Sequence, residues 1–411
     1  MLPLDVEREF EAARDAEFFA ALPSRPGVIL LEMASADARP YLARTADIRR
    51  AAERLLRPPD TPSKRLNLRA AAARIRYRVT GSKFEQSLAL YFIAREHFPS
   101  SYAGRLRLRA PALLKVNLQA EYPRCRVTRA VRAGRALYFG PFPYRRAAQN
   151  FAEAFLDLFR IRRCHIKIRR DPAFPGCIYS EMKMCLAPCF GGCTKQEYDT
   201  EVGLVLDALD TSGAALLARL EQEREAASTA LDFERAGTIH NRLEKVSAVL
   251  RGLPEIARRI DRLDALILQR APEEMAIAAF PIFGGLLAAP IFLRFSELQG
   301  QPRSAEAILR EHLQAQTRPP DETKPEDSAA SPIVIPAAPA ALPKDWPSRY
   351  GLRSAPPELA EHLSLVARWF YSKPREGEIF FRDADWPYRR MLRACRRILD
   401  SGTAPPPVAA P

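Results

Sequence analysis

The sequence predicts an α+β chain of several modules, and three observations lead there. Short apolar runs bounded by Pro and Gly alternate with amphipathic helical stretches over residues 22–200. Five of the seven cysteines crowd into Arg163–Tyr198, among Gly, Pro and basic residues. Apolar residues at three- and four-residue steps run through 201–250, as two facing helices require. The 411 residues suffice for several cores. The expected order is an N-terminal helix (1–21), a small mixed sheet with helices (22–105), a basic, cysteine-rich α+β region (106–200) and a helical hairpin (201–255). A strand meander with a helix (256–317), a flexible linker (318–347), an aromatic-rich β/α segment (348–402) and a disordered tail (403–411) follow.

Taken in order, residues 4–21 read as a charged amphipathic helix ended by Leu22-Pro23, and 26–33 and 39–45 as two strands leading to a helix over 47–56. Leu66–Val79 and Phe84–His97 supply two further segments. Strand-like runs at 112–120 and 125–131 are followed by a hairpin turn at Gly134 and a returning strand at Tyr138-Phe139. From Tyr144 to Phe159 a helix carries the stripe Ala148, Phe151, Phe155, Leu158 and Phe159, which is core. Leu220, Ala227, Leu231, Ala236, Ile239, Leu243 and Val246 form the stripe of the helical pair. Three strands are expected at 263–270, 275–282 and 286–294. Two short helices around a hairpin close the chain, stapled to the body by Trp369, Phe370, Tyr371, Phe380, Phe381 and Trp386, with Cys395 an ordinary buried thiol.

Composition narrows the partners. With 63 Lys+Arg against 49 Asp+Glu, the net charge of +14 favours a polyanion, because each phosphate neutralised releases counterions. No run of eighteen or more apolar residues occurs, and the first residues carry both charge signs, so neither a membrane span nor a secretory signal is expected. An odd number of cysteines without an export signal implies reduced thiols and a cytoplasmic location, favouring metal binding over disulfides.

Cys164, Cys177, Cys185 and Cys189 are separated by twelve, seven and three residues, a ligand spacing on a loop that suits zinc or an iron–sulfur cluster. Cys193 continues the three-residue rhythm and can replace a neighbour. Arg124, Arg126, Arg129, Arg132, Arg135, Arg145 and Arg146 form a dense arginine field close to Tyr138, Phe139 and Tyr144, the mixture of phosphate contact and ring stacking that distorted or partly single-stranded nucleic acid rewards.

Several phrases, in order, resemble the UvrC excinuclease subunit family: LPSRPGVILL, YLARTADIRR and GSKFEQSLALYFIAREHFP, then Tyr122-Pro-Arg, Val127-Thr-Arg, Tyr138-Phe-Gly-Pro-Phe-Pro, Phe159-Arg-Ile-Arg-Arg-Cys and Cys185-Leu-Ala-Pro-Cys. The resemblance covers roughly residues 20–295 and implies a GIY-YIG nuclease domain first. In that family a strand tyrosine, a helix arginine and a metal-holding glutamate do the cutting, as a polarised nucleophile, a cation and a hard-metal ligand should. Here Ile29, Ala51 and Leu90 stand at those positions, Ala43 replaces a glycine, and Tyr41 remains. The neighbouring Arg50 and Glu85 do not replace what is lost, Glu85 reading as a solvated helix residue, so no catalytic site is expected. The basic face of residues 22–105 is expected to stay available to DNA.

The resemblance also implies a 4Fe–4S cluster on Cys164, Cys177, Cys185 and Cys189, with zinc the alternative. Ala227-Ser228, Leu231-Asp-Phe-Glu234 and Ala236 resemble the UVR motif, which implies docking of a UvrB-like protein through Leu231, Phe233, Glu234, Ala236, Ile239 and Leu243. The RNase H-like and helix-hairpin-helix parts of the family have no counterpart in the segments read here. The expected function is DNA binding, to damaged duplex, in nucleotide excision repair. One alternative is a working endonuclease built on Tyr41, Arg50 and Glu85, which would need Mg2+; another is a structural iron–sulfur or zinc protein that binds RNA.

Overall fold

A computed structural model of the chain describes residues 2–35, 37–58, 66–298, 304–315, 352 and 355–400. The linker 318–347 and the tail 403–411 lie outside the described residues. Three antiparallel sheets, each with its helices, make an α+β fold.

The first unit comprises β1 (Val6–Glu9), α1 (Asp15–Ala20), β2 (Gly27–Met33), β3 (Tyr41–Thr45), α2 (Ile48–Leu56), β4 (Ala72–Val79), α3 (Lys83–His97) and α4 (Tyr102–Arg105). Its strand order is β1-β4-β2-β3, and every pairing is antiparallel where a mixed sheet was expected. The expected helix over 4–21 is also corrected. Residues 6–9 form an edge strand instead, because their charges find cross-strand partners there. Glu7 pairs with Arg74 at 2.6 Å and Arg76 at 3.7 Å, and Glu32 of β2 meets the same two arginines at 3.1 and 3.4 Å. The other face of β4, Ile75 and Tyr77, enters a core shared with α1 and α2. Asp47 caps α2 by accepting the Arg50 N–H at 2.8 Å, and Ser82 caps α3 by accepting the Glu85 N–H at 3.1 Å.

The second unit holds β5 (Ala112–Asn117), β6 (Cys125–Thr128), β7 (Ala136–Phe142), α5 (Arg145–Leu156), α6 (Ile178–Glu181), α7 (Lys195–Asp210), α8 (Ala214–Thr229), α9 (Phe233–Leu250) and β8 (Arg258–Arg259), in the order β6-β5-β7-β8. Gly134 therefore does not turn a hairpin: β7 crosses to the far side of β5 rather than pairing with β6. The exchange buries β7 between two cores, Leu137 and Phe139 facing one and Ala136 and Tyr138 the other. Residues 201–250 are the end of α7 plus the hairpin α8/α9, three helices rather than two. At the α7/α8 junction Gly213 has φ +87°, and a Cβ there would lie 2.1 Å from the Leu250 side chain, so the hairpin closes on a position only glycine fits.

The third unit comprises β9 (Ala265–Arg270), β10 (Ala276–Phe283), β11 (Leu286–Leu287), β12 (Ile291–Arg294), α10 (Phe295–Leu298), α11 (Ala305–Ala315), α12 (Pro357–Phe370), β13 (Glu378–Phe381) and α13 (Tyr388–Asp400). The meander and the C-terminal segment, expected as separate pieces, are one sheet: β13 is not half of a local hairpin but pairs with β9, more than a hundred residues earlier. The aromatic staple is core as expected, Trp369, Phe380, Phe381 and Trp386 all being buried.

Helix α3 joins the first unit to the third. Phe84 packs edge-on against Phe280 at 5.2 Å and beside Trp369 at 5.7 Å, while Glu361 of α12 accepts from the hydroxyls of Tyr91 (2.7 Å) and Tyr102 (2.8 Å). Phe84→Ala is expected to lower stability by about 3–5 kcal/mol, the usual cost of emptying a buried phenylalanine site. Urea unfolding curves followed by tryptophan emission check this.

Candidate nucleic-acid interface and cysteine loop

The exposed arginines of the second unit lie on β6, on the crossover to β7 and at the start of α5. Arg126 lies on the edge strand β6, Arg129, Arg132 and Arg135 on the crossover to β7, and Arg145 and Arg146 in the first turn of α5. All six are exposed, and none makes an ion pair among the described residues. The first turn of α5 holds no acidic residue, so its free N–H groups and dipole add to the positive field. Tyr144, 60% exposed, offers a ring beside them. Two expectations are corrected. Tyr138 and Phe139 are buried, and the Tyr138 hydroxyl is engaged with the Arg132 backbone, so neither ring can stack on a base. Arg124 is half-buried and donates to the Cys164 carbonyl at 2.9 Å; its task is to hold the cysteine loop.

That loop leaves the end of α5 and returns at α7. Arg162, buried and missed in the sequence, donates to the carbonyls of Cys164 (3.2 Å) and Ile166 (2.6 Å), and its N–H donates to the Tyr198 hydroxyl at 2.9 Å. Tyr198 in turn donates to the Pro123 carbonyl at 2.7 Å. Two arginines next to a loop cysteine were the available signal. All seven cysteines are free thiols. Cys185 receives the Ala187 N–H at 3.3 Å, and its pKa is pushed up to about 11, by burial first and then by the neighbouring Cys164, Cys177 and Cys189. Cys164, Cys177 and Cys189 are thus near enough to act on the Cys185 thiol, and Arg124 and Arg162 hold the Cys164 carbonyl, a donor set that suits a thiolate-bound group. As placed, no three His, Cys, Asp or Glu side chains among the described residues converge to hold a metal ion. Cys193 is packed in the apolar core of α5 and α7.

The helical hairpin divides its expected docking residues. Ile239 and Leu243 are buried with Val246 in the core shared with α5, and Ala236 packs against that core. Leu231, at φ +60°, and Phe233 stand out at the α8/α9 tip, 72% and 69% exposed, beside the exposed Glu234. The stripe expected to dock a partner is therefore mostly intramolecular, and Leu231 does not belong to it.

The positions of the expected degenerate nuclease site are divided between two cores and the surface. Ile29 and Ala51 are buried in the first unit's core, Ala43 and Tyr41 pack against it, Leu90 turns to the other core, and Arg50 is exposed. Glu85 is fully buried, contrary to the solvated residue expected. Its carboxylate accepts the Gly81 N–H at 2.8 Å and faces Arg78 at 3.5 Å. The basic face expected on this unit is largely neutralised, since Arg74 and Arg76 meet Glu7 and Glu32, and Arg78 meets Asp5 at 3.2 Å.

Fold and sites define a class: a basic, cysteine-looped α+β chain with an inserted helical hairpin. Residues 112–208 match the family described as UvrC/Cho excinuclease, middle domain. The UvrABC system protein C of Moorella thermoacetica is 26% identical over 76% of this chain and 52% of its own length. That of Dehalococcoides mccartyi is 27% identical over 65% and 44%, and that of Desulforudis audaxviator 31% over 51% and 34%. The chain is a relative of the UvrC proteins, and its middle domain belongs to their family. It spans about half the length of the curated relatives it matches. No solved structure matches. Among the described residues no helix is long and apolar enough to cross a membrane.

Burial raises the Glu85 pKa above the ordinary carboxylate value more than Gly81 and Arg78 lower it. A folded-state pKa above the unfolded one means that the folded protein holds the proton longer, so this group's contribution is present at low pH and lost as pH rises through the raised value. Glu85→Gln should therefore gain stability relative to the parent as pH is raised from about 4 to about 8. Urea midpoints of both proteins across that range check the sign.

Proposed function

We propose that this chain is a DNA-binding protein of nucleotide excision repair that holds damaged duplex without cutting it. The observation that carries this reading is the set of six exposed arginines, free of ion pairs among the described residues, on β6, on the crossover to β7 and in the first turn of α5. A phosphate backbone satisfies such a field as no internal group does. Against cutting, apolar side chains hold the Ile29, Ala51 and Leu90 positions of a GIY-YIG-like fold, and a buried Glu85 has no access to a hydrated cation. Cys164, Cys177, Cys185 and Cys189 hold a 4Fe–4S cluster in this reading, zinc being the alternative donor match. When bound, the cluster closes the loop between α5 and α7 and fixes the arginines that flank it.

The exposed tip of the α8/α9 hairpin receives a UvrB-like protein through Leu231, Phe233 and Glu234, while Ala236, Ile239 and Leu243 keep the two helices together. Leu231→Ala with Phe233→Ala should weaken capture of such a partner at least about tenfold, while moving the unfolding midpoint little, because both residues are surface groups. Ile239→Ala should do the reverse. Pull-down titrations and thermal melts of the same proteins separate the two effects.

The DNA reading is tested by fluorescence anisotropy on a lesion-bearing duplex over a salt series. Replacing Arg126, Arg129 and Arg132 by Gln should reduce the slope of log affinity against log salt by about 0.9 for each lost phosphate contact. Mg2+-dependent nicking by the parent protein that disappears in Glu85→Gln would replace this reading with the endonuclease. Stronger competition by RNA than by duplex DNA would replace it with an RNA-binding protein.

A further inference from the structure

A second set of arginines lies on α13, on the side of the third sheet away from the second unit. The face of β9 and β10 carrying Ile267, Ala278 and Phe280 packs toward β7 and α12, whereas Leu266, Leu268 and Ile277 pack on α13. Helix α13 buries Tyr388, Met391, Ala394, Cys395 and Leu399, and its remaining surface carries Arg389, Arg390, Arg393, Arg396 and Arg397. Two of these are engaged within the unit: Arg397 pairs with Glu378 at 2.8 Å, and Arg390 lies over the Phe380 ring at 6.0 Å. Arg389, Arg393 and Arg396 are exposed and make no ion pair among the described residues.

The helix gains nothing from these three. Arg389 and Arg393 are four apart, and Arg393 and Arg396 three apart, so they repel as like charges on one face. Arg389 also sits in the first turn, at the positive end of the helix dipole. A solvated face would serve the fold better with carboxylates interspersed, as they are beside Arg74 and Arg76. A polyanion outside the chain would offset the repulsion.

We propose that Arg389, Arg393 and Arg396 form a second contact track for the phosphate backbone of duplex DNA, separate from the arginines around α5. The three side chains fall within roughly 60° around the helix, at about 6 and about 10.5 Å along it from the first. Arginine side chains projecting from one face in this way can each fork onto a different phosphate of the duplex backbone. An anionic membrane fits less well, because the apolar side of α13 is spent on the sheet and none of it accompanies the arginines to the surface. The inference rests on the DNA-binding reading and adds a second, independently removable surface to it.

The test compares the full chain with a triple Gln variant at Arg389, Arg393 and Arg396, the corresponding triple Lys variant, and the triple Gln variant at Arg126, Arg129 and Arg132. Duplex affinity is read by anisotropy from about 0.05 to about 0.3 M salt. The α13 Gln variant should weaken binding about tenfold or more and lower the salt slope by about two to three, and the Lys variant should restore most of both. Hydrogen exchange of the unaltered chain should show α13 protected when duplex is added, a readout that does not depend on any variant folding.

Parent-like affinity and slope in the α13 Gln variant, with loss in the α5 variant, would overturn this inference and leave the DNA reading standing. Absence of duplex binding by the parent would overturn both. Loss of binding to phosphatidylserine vesicles with duplex binding unchanged would assign α13 to a membrane surface instead.

Discussion

Burial of β5 and β7 on both faces is the constraint on which the other units depend. Because Leu137 and Phe139 point into one core and Ala136 and Tyr138 into the other, the strand cannot shift by a residue without moving each set to the wrong side. The cysteine loop and helices α5 to α9 are then one long excursion between β7 and its neighbour β8, which pairs Phe139 with Arg259 and Gly140 with Arg258. That return is held electrostatically. Arg259, nearly buried, reaches Asp210 at the end of α7 and Asp261 just beyond β8, each at 2.8 Å. Burial pushes the Asp210 pKa up while Arg259 and Arg262 pull it down. Such a pair adds little net stability against an apolar substitute, but losing one member would strand a buried charge. It specifies where the excursion ends more than it strengthens the fold.

The positive charge is distributed unevenly, and the distribution carries more information than the total. On the first sheet the arginines of β4 alternate with apolar residues, and Glu7 and Glu32 from the two flanking strands neutralise Arg74 and Arg76. The arginines at the start of α5, and Arg389, Arg393 and Arg396 on α13, have no such neighbours among the described residues. A net charge of +14 is compatible with either arrangement. Only the pairing separates arginines that hold strands together from arginines left for an external anion, and Arg124 and Arg162, turned inward on the Cys164 carbonyl, belong to the first kind.

What was legible in the sequence was local. The strands at 27–33 and 41–45, the helix from 47 to 56, the α5 stripe and strands β9 and β10 follow from periodicity, which acts within a few residues, whereas the single strand expected at 286–294 is divided into β11 and β12. What was not legible depends on distant partners. VERE at 6–9 suits a helix or a strand, and the arginines of β4 decide it. Gly134 looks like a hairpin turn until β5 offers a free edge on its far side. EIFF at 378–381 has no local mate and finds β9 instead. The same applies to the candidate sites. The cysteine set and the exposed arginines were readable as residue types, whereas the burial of Tyr138, Phe139 and Glu85 was not, since a residue's neighbours across a fold leave no trace in its own segment.

In the first unit the positions proposed for a degenerate site are filled by packing. Ile29 and Ala51 lie in its core, where a polar group without a partner would be costly, and Leu90 faces the third unit's core. Helix α3 then serves packing: Phe84 meets Phe280 and Trp369, Tyr91 gives its proton to Glu361, and Arg95 pairs with Glu358. Each contact joins a residue of the first eighty to hundred positions to one beyond 275, closing the chain on itself around the second unit. Under the proposed reading this explains why the unit persists without its chemistry. Removing it would expose the apolar side of α12 and leave the Glu361 carboxylate without its two hydroxyl donors, so the unit braces the part proposed to bind DNA.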